Sequence, residues 1–245
     1  MSVAKVFKSF IKFFFSVLKS FTDKRIFLKK LCVEIINIGL NSTLIVGLTG
    51  FFAGGVVCLQ LYSGLAKFGA TSQIPSVLIS TMLKELGPVL CGLMFCARVC
   101  SSVASEIATM KMNENLKTLT SLNINPVSYI IKTKLIATFF TAPILHLVSV
   151  IFGVFGGVLI CVGEFNMSQI SFLNSLYDAF LKRDLLIGIF KILTFSICCM
   201  FIASYKGLNS QESSTGVSEA TTLTVVYGSI MVLALNYFLS YVFLI

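Results

Sequence analysis

Thr81-Met82-Leu83-Lys84-Glu85-Leu86-Gly87-Pro88-Val89-Leu90 is the stretch whose reading decides the fold. It continues apolar to Arg98 and turns polar at Ser101-Ser102-Val103-Ala104-Ser105-Glu106. Two charges lie midway along a segment otherwise suited to lipid, and a Gly-Pro pair follows them at once. Charged side chains at membrane depth face a protein interior, a cavity or a transport path. Gly-Pro loosens the helix where they sit. In a helix beginning near Pro75, Glu85 lies about 15 Å along the axis at about 1.5 Å per residue. That is near the middle of a hydrocarbon core roughly 30 Å thick. Neighbours in sequence point in different directions on a helix, so Lys84 and Glu85 cannot neutralise each other along one face. Each needs its own partner or water. A polar cavity able to take a lipid headgroup meets that need, and so does a structural ion pair between helices.

The surrounding composition sets the solvent. Of 245 residues, 56% are hydrophobic and 12% charged, against about 25% charged in a soluble domain. Mean hydropathy is +0.94. These values describe an integral membrane protein whose apolar surface is solvated by lipid. The net charge of +9 does not point to nucleic acid, because the basic residues sit between apolar runs and form no folded basic face. The eight cysteines fall mostly inside apolar runs and read as small buried hydrophobes. Cys91, Cys96 and Cys100 lack zinc-type spacing and have no histidine nearby.

Five segments are long and apolar enough to cross a bilayer, which takes about 20 residues. They are roughly Ser42–Tyr62, Pro75–Arg98, Leu135–Cys161, Leu185–Tyr205 and Thr224–Ile245. Lysine and arginine are dense before the first span, at Lys5, Lys8, Lys12, Lys19, Lys24, Arg25, Lys29 and Lys30. The next loop holds only Lys67, and the loop after span two holds Lys111, Lys117, Lys132 and Lys134. The positive-inside rule therefore puts the N-terminus and the loops at 99–134 and 206–223 in the cytoplasm, and the C-terminus on the far side. In the first 21 residues, lysines and phenylalanines recur on separate helical faces, the pattern of an amphipathic helix lying in the interface. A signal peptide fits less well, since Lys12 interrupts any apolar region and no small-residue cleavage site follows. The expected fold is an all-α integral membrane protein. It has an interfacial segment over 1–41 and a five-span domain over 42–245. Gly50/Gly54 and Gly153/Gly157 form GxxxG patterns that let helices approach closely.

Between spans two and three, polar residues from Ser101 to Lys117 alternate with Val103, Ile107, Met110, Leu116 and Leu119. This reads as a cytoplasmic amphipathic helix, stopped before Pro126 by Asn123-Ile124-Asn125. It is either a docking element or a surface connector, and its length favours the first. No GxxxxGK[ST] phosphate loop occurs, so ATP hydrolysis by that route is excluded for this chain. His146, alone of its kind, is expected to make an interhelical hydrogen bond. Lys191 and Asn236 are intramembrane polar groups with no evident partner, and Glu85 is the one evident intramembrane carboxylate. No catalytic triad, metal cluster or paired-carboxylate site is evident.

Three ordered elements resemble those of the MlaE (YrbE) permease family, the membrane subunits of ABC transporters that work with MCE-domain proteins. The first is Lys84-Glu85-Leu86-Gly87-Pro88-Val89, matching [RK]-E-L-G-P-V. The second runs from Ala97-Arg98 through Ser101-Ser102-Val103-Ala104-Ser105-Glu106-Ile107 to Met110, and the third is Gly216-Val217-Ser218-Glu219-Ala220-Thr221-Thr222 with Val225-Val226. Ala97 and Cys100 stand where the family has glycine, Glu114-Asn115 where it often has Glu-Gln, and Asn236 where an acidic residue is common. The resemblance implies a homodimeric permease over two cytoplasmic ATPase subunits, which bind the ATP, with an MCE protein on the periplasmic side of the inner membrane. The implied cargo is phospholipid or a related lipid, and the chain itself is not an enzyme. Residues about 103–120 look like the coupling helix, with Arg98, Glu106, Met110, Glu114 and Asn115 toward the ATPase. Gln60, Tyr62, Lys84 and Glu85 look like the lining of the lipid cavity. A stand-alone secondary transporter or channel using Glu85 as a proton or ion site is the competing reading. Five spans give it no even internal repeat. A non-transporting scaffold is the third.

Overall fold

The structure is a computed structural model that describes residues 13, 16, 17, 28–165 and 167–244. Every regular element among them is helical. α1 runs Leu28–Leu65. After two short 3₁₀ turns come α2 (Ile74–Thr81), α3 (Gly87–Phe95) and α4 (Ser101–Met112), joined by π turns at Met82–Leu86 and Cys96–Cys100. Then follow α5 (Asn115–Ser121), a π turn at Val127–Lys132 leading into α6 (Thr133–Gly163), α7 (Gln169–Ala179), α8 (Lys182–Leu208) and α9 (Ser214–Leu244).

Five helical runs are long and apolar enough to cross a membrane: Leu28–Phe68, Thr71–Met112, Val127–Gly163, Lys182–Leu208 and Ser214–Phe243. They are called spans 1 to 5 below. Each is longer than the apolar window that marks it in the sequence, because helix geometry continues past the hydrocarbon limit into charged residues. Large apolar side chains such as Leu44, Phe52, Ile151 and Phe190 point outward, as lipid-facing positions do. The amphipathic helix expected over the first 21 residues lies outside the described residues, isolated positions apart.

The prolines shape the spans. Pro75 sits in the first turn of α2, where an amide hydrogen has no acceptor to lose. Pro88 follows the first π turn, in which the Gly87 amide bonds back to Met82 O. The α-helical donor for Leu83 O is thereby diverted, and the π-helical donor would be Pro88, which has no N–H. The Leu83 carbonyl is left without an intrahelical donor, and the helix widens where Lys84 and Glu85 emerge.

The polar stretch after span 2 differs from a single helix. α4 ends at Met112, Glu114 takes a left-handed conformation at φ 57°, and α5 restarts at Asn115. Glu114 O accepts the amides of Lys117 and Thr118, so the residue acts as the cap of α5. The stop before Pro126 is as the sequence indicates: α5 ends at Ser121 and Asn123 is left-handed. Asn125 Oδ1 then accepts the Val127 amide and opens the next run.

The chain divides into two compact units, each with its own interior. One comprises the residues up to Leu40, Phe95–Thr141 and Ser196–Met231. Within it Cys96 Sγ donates to Thr224 O at 3.7 Å and Cys199 Sγ to Gly228 O at 3.6 Å. The other comprises Asn41–Met94, Ala142–Phe195 and Val232 onward. Its apolar cluster includes Cys58, Leu78, Met82, Leu83, Val150, Cys161 and Phe172. Here the two GxxxG patterns meet. A Cβ on Gly54 would run into Gly153 O, and one on Gly156 would run into Phe51 O, so spans 1 and 3 touch backbone to backbone.

Candidate functional site

The site is built from the π turn outward, inside the second unit. Lys84 Nζ lies 3.1 Å from Asp184 Oδ2 in the first turn of α8. Ser80 Oγ donates to the same carboxylate oxygen at 3.4 Å. Asp184 sits at a helix N-terminus, where a negative charge is favoured. Glu85 Oε1 accepts from Lys191 Nζ at 2.8 Å. Lys191 Nζ also donates to Ser240 Oγ at 2.7 Å, and Ser240 Oγ donates to Glu85 Oε2 at 2.8 Å. The result is a closed triangle of span 2, span 4 and span 5 side chains.

Asp184 and Lys191 are seven residues apart on α8, on one face two turns from each other. The adjacent Lys84 and Glu85 reach these two partners separately, which answers the requirement that each find its own. The burial is one-sided. Side-chain exposure is 35% for Lys84 and 42% for Glu85, but 4% for Asp184 and 0% for Lys191. One cation and one anion are thus presented side by side, each backed by a buried counter-charge. The four charges sum to zero.

His146 packs at the same crossing. A Cβ on Gly87 would lie 3.1 Å from its Cε1, and one on Gly188 would lie 2.6 Å from its Nε2 and run into Leu83 O. Glycine at 188 is required for α8 to approach the open π-turn carbonyl. The expected interhelical hydrogen bond of His146 is absent: the ring is fully buried and neither nitrogen has a partner. Two glycines flank the ring, and neither has a side chain to offer it. Asn236 Oδ1 also has no partner. Lys191 does have partners, contrary to its appearance in the sequence. Two further carboxylates, Asp184 and Glu34, are buried in the protein near the starts of the span 4 and span 1 helices.

Of the other residues singled out for a cavity, Tyr62 stacks on Phe165 with centroids 3.5 Å apart and planes 4° from parallel. Gln60 is exposed. Among the described residues no hydrogen bond or ion pair links Gln60 or Tyr62 to Lys84 or Glu85. Ser80, Asp184 and Ser240 were missed. Asp184 lies one residue outside the apolar window of span 4, and a lone serine in lipid carries no signal by itself. The seven-residue spacing of Asp184 and Lys191 was the available clue.

The residues expected to face an ATPase lie in the first unit. Arg98 is exposed at the second π turn, and Met110 is half-buried on α4. Glu106 binds Lys134 at 2.7 Å, and Lys134 also bridges both oxygens of the buried Glu34 at 2.9 Å. Lys111 Nζ donates to Ser210 O at 2.7 Å, tying α4 to the loop before span 5. Glu114 and Asn115 are exposed at the α4–α5 break. Lys117, 2.6 Å from Glu114, holds that carboxyl below its ordinary value and is itself raised.

The sequence matches the family model described as Permease MlaE over residues 31–242. It is similar to a probable ABC transporter permease protein of Rickettsia felis, with 35% identity over 96% of this chain and 91% of that protein. It is also similar to the intermembrane phospholipid transport system permease protein MlaE of Haemophilus influenzae, with 32% identity over 83% of this chain and 78% of that one. A probable ABC transporter permease protein of Pyropia yezoensis is 30% identical over 96% of this chain and 89% of its own length.

Proposed function

The chain belongs to the MlaE permease family of ABC transporter permeases, and on that premise we propose that it moves phospholipid between the inner membrane and a periplasmic MCE-protein carrier. ATP would be bound and hydrolysed by a cytoplasmic partner subunit, and the chain would work as a homodimer. Its N-terminus and the 99–134 and 206–223 loops would be cytoplasmic and its C-terminus periplasmic. The segment about 103–120 would be the coupling element, with Glu106, Met110, Glu114 and Asn115 in it and Arg98 just before it toward the ATPase. Residues 1–41 would be the N-terminal segment ahead of the five-span domain at 42–245, with its part from Leu28 continuous with the helix of span 1.

The observation that carries the reading is the half-exposed Lys84–Glu85 pair with its buried counter-charges. A zwitterionic headgroup offers a phosphate and an ammonium. Lys84 would meet the phosphate as a point charge, and Glu85 the ammonium. Asp184 and Lys191 would hold the two side chains in place when the site is empty and exchange partially when it fills. Because the cluster is neutral, entering lipid does not leave a net charge stranded in hydrocarbon. Tyr62 and Gln60 would line the acyl-chain side. The homodimer is supported by span 5, the least buried of the spans at 17%, which leaves Tyr237, Phe238 and Tyr241 exposed.

The test is photo-crosslinking of labelled phosphatidylethanolamine to the chain in nanodiscs together with its ATPase. Lys84→Ala should weaken headgroup crosslinking severalfold while the protein still binds the ATPase. Unchanged crosslinking would remove the headgroup role.

A further inference from the structure

Lys30 and Glu34 stand four residues apart on α1, the spacing at which opposite charges pair along a helix. They do not pair. Both oxygens of Glu34 accept from the buried Lys134 Nζ at 2.9 Å, and the same ammonium donates to Glu106 at 2.7 Å. Lys30 Nζ instead lies over the Tyr129 ring, 3.8 Å from its centroid. Among the described residues neither Lys29 nor Lys30 forms a salt bridge. Three lysines and two glutamates leave one positive charge here, and both unpaired members are cations. All of these residues belong to the first unit.

The two cations line a cavity of about 530 Å³ together with Leu28, Val33 and Tyr129, a size within the roughly 300–1,000 Å³ of small-molecule sites. Val33, Ile36 and Leu40 follow at three- and four-residue spacing and are all exposed, so they form one outward stripe along α1. On a membrane helix such a stripe is solvated by acyl chains. Two unpaired ammonium groups at the foot of a lipid-facing stripe fit an amphiphile with an anionic head. A soluble phosphate would use the lysines and leave the stripe idle. A zwitterionic lipid would bring its ammonium to a place where Lys134 already occupies Glu34 and Glu106.

We propose that Lys29, Lys30 and Tyr129 form a site for one anionic phospholipid, its phosphate on the two lysines and its chains along Val33, Ile36 and Leu40. Tyr129 holds the Lys30 ammonium at the cavity wall, so less side-chain freedom is lost when the headgroup arrives. This lipid is not the cargo: it is held in the first unit, whereas Lys84 and Glu85 belong to the second. In the orientation proposed above it comes from the cytoplasmic leaflet, where anionic lipids gather.

The chain contains no tryptophan, so Tyr129→Trp places a single fluorophore in the cavity and keeps the aromatic face that Lys30 uses. The full chain is reconstituted in phosphatidylcholine vesicles, and quenching is compared at equal mole fractions of brominated phosphatidylglycerol and brominated phosphatidylcholine. Both leaflets carry the same lipids, so the result does not depend on which way the chain inserts, and transport is not required. Phosphatidylglycerol should associate severalfold more strongly. Lys29→Gln/Lys30→Gln on this background should bring the ratio close to one, and Lys29→Arg/Lys30→Arg should keep it. Lys117→Gln removes one positive charge elsewhere in the same unit and should leave the ratio unchanged. Should Tyr129→Trp not reconstitute, Val33→Trp reports the same ratio from the cavity wall. A ratio near one before any lysine is changed overturns the site. Equal loss in Lys117→Gln reduces the preference to net charge and overturns it too. Loss of the preference in millimolar inorganic phosphate assigns the lysines to a soluble anion and overturns the lipid.

Discussion

Lys191 and Glu85 are unequal partners. The lysine is sealed and the glutamate is nearly half open, with side-chain exposures of 0% and 42%. Removing one member of a buried pair costs about 3–5 kcal/mol when the survivor stays buried. Glu85→Gln leaves the Lys191 ammonium facing a neutral amide and Ser240, so a loss of that size is expected. Lys191→Met leaves a half-open carboxylate that keeps Ser240 as a donor and can take up a proton, so its cost should be the smaller of the two. Thermal unfolding in detergent measures both, and the double variant should recover most of the loss. Equal losses for the two single variants would contradict the one-sided burial. His146 makes the opposite case. Its two nitrogens have no partners, and a buried polar group in that state is unfavourable by about 1–3 kcal/mol. His146→Leu should therefore leave stability unchanged or raised in the same assay. A loss beyond ~1 kcal/mol would show that the ring makes a bond this state does not contain.

At the level of the helix, close approach and charge placement have separate causes. The contact of spans 1 and 3 depends on Gly54, whose Cβ would meet the Gly153 backbone, and hardly on Gly55, whose nearest neighbour would be Ile160 Cγ1 at 3.5 Å. Gly54→Ala must push the helices apart and should cost about 1–3 kcal/mol. Gly55→Ala should be neutral or gain up to ~1 kcal/mol from helix propensity. Unfolding midpoints of the two variants, measured side by side, check this ordering. Both GxxxG patterns were legible in the sequence because the spacing alone carries the signal. The π turn at Met82–Leu86 was legible only as a Gly-Pro weakness: which carbonyl gives way depends on how the amide of Gly87 chooses its acceptor. The partners of Lys84 and Glu85 were not legible, since pairing across helices is set by packing and a hydropathy window placed Asp184 outside its span. The break at Glu114 was hidden for a different reason. Glu114 fits a helix by type, and its left-handed backbone, following Asn113 at the end of α4, separates that helix from α5.

For the molecule as a whole, five apolar helices and a family match over residues 31–242 make it a multi-pass ABC transporter permease. The number of spans was legible because about 20 apolar residues are needed for each crossing and little else in a chain looks like that. In the proposed reading, the neutral, half-open pair of opposite charges would suit a headgroup that carries both charges. It suits a lone proton or metal cation less well, because Glu85 is already neutralised by Lys191 at 2.8 Å. The most direct measurement reconstitutes the chain with its ATPase subunit in liposomes and follows labelled phosphatidylethanolamine passing to a soluble MCE-domain acceptor. Transfer that requires ATP and drops severalfold in Lys84→Ala and Glu85→Gln is the predicted result. Lipid transfer indifferent to ATP, or an ion flux through the chain alone without the ATPase, would contradict it.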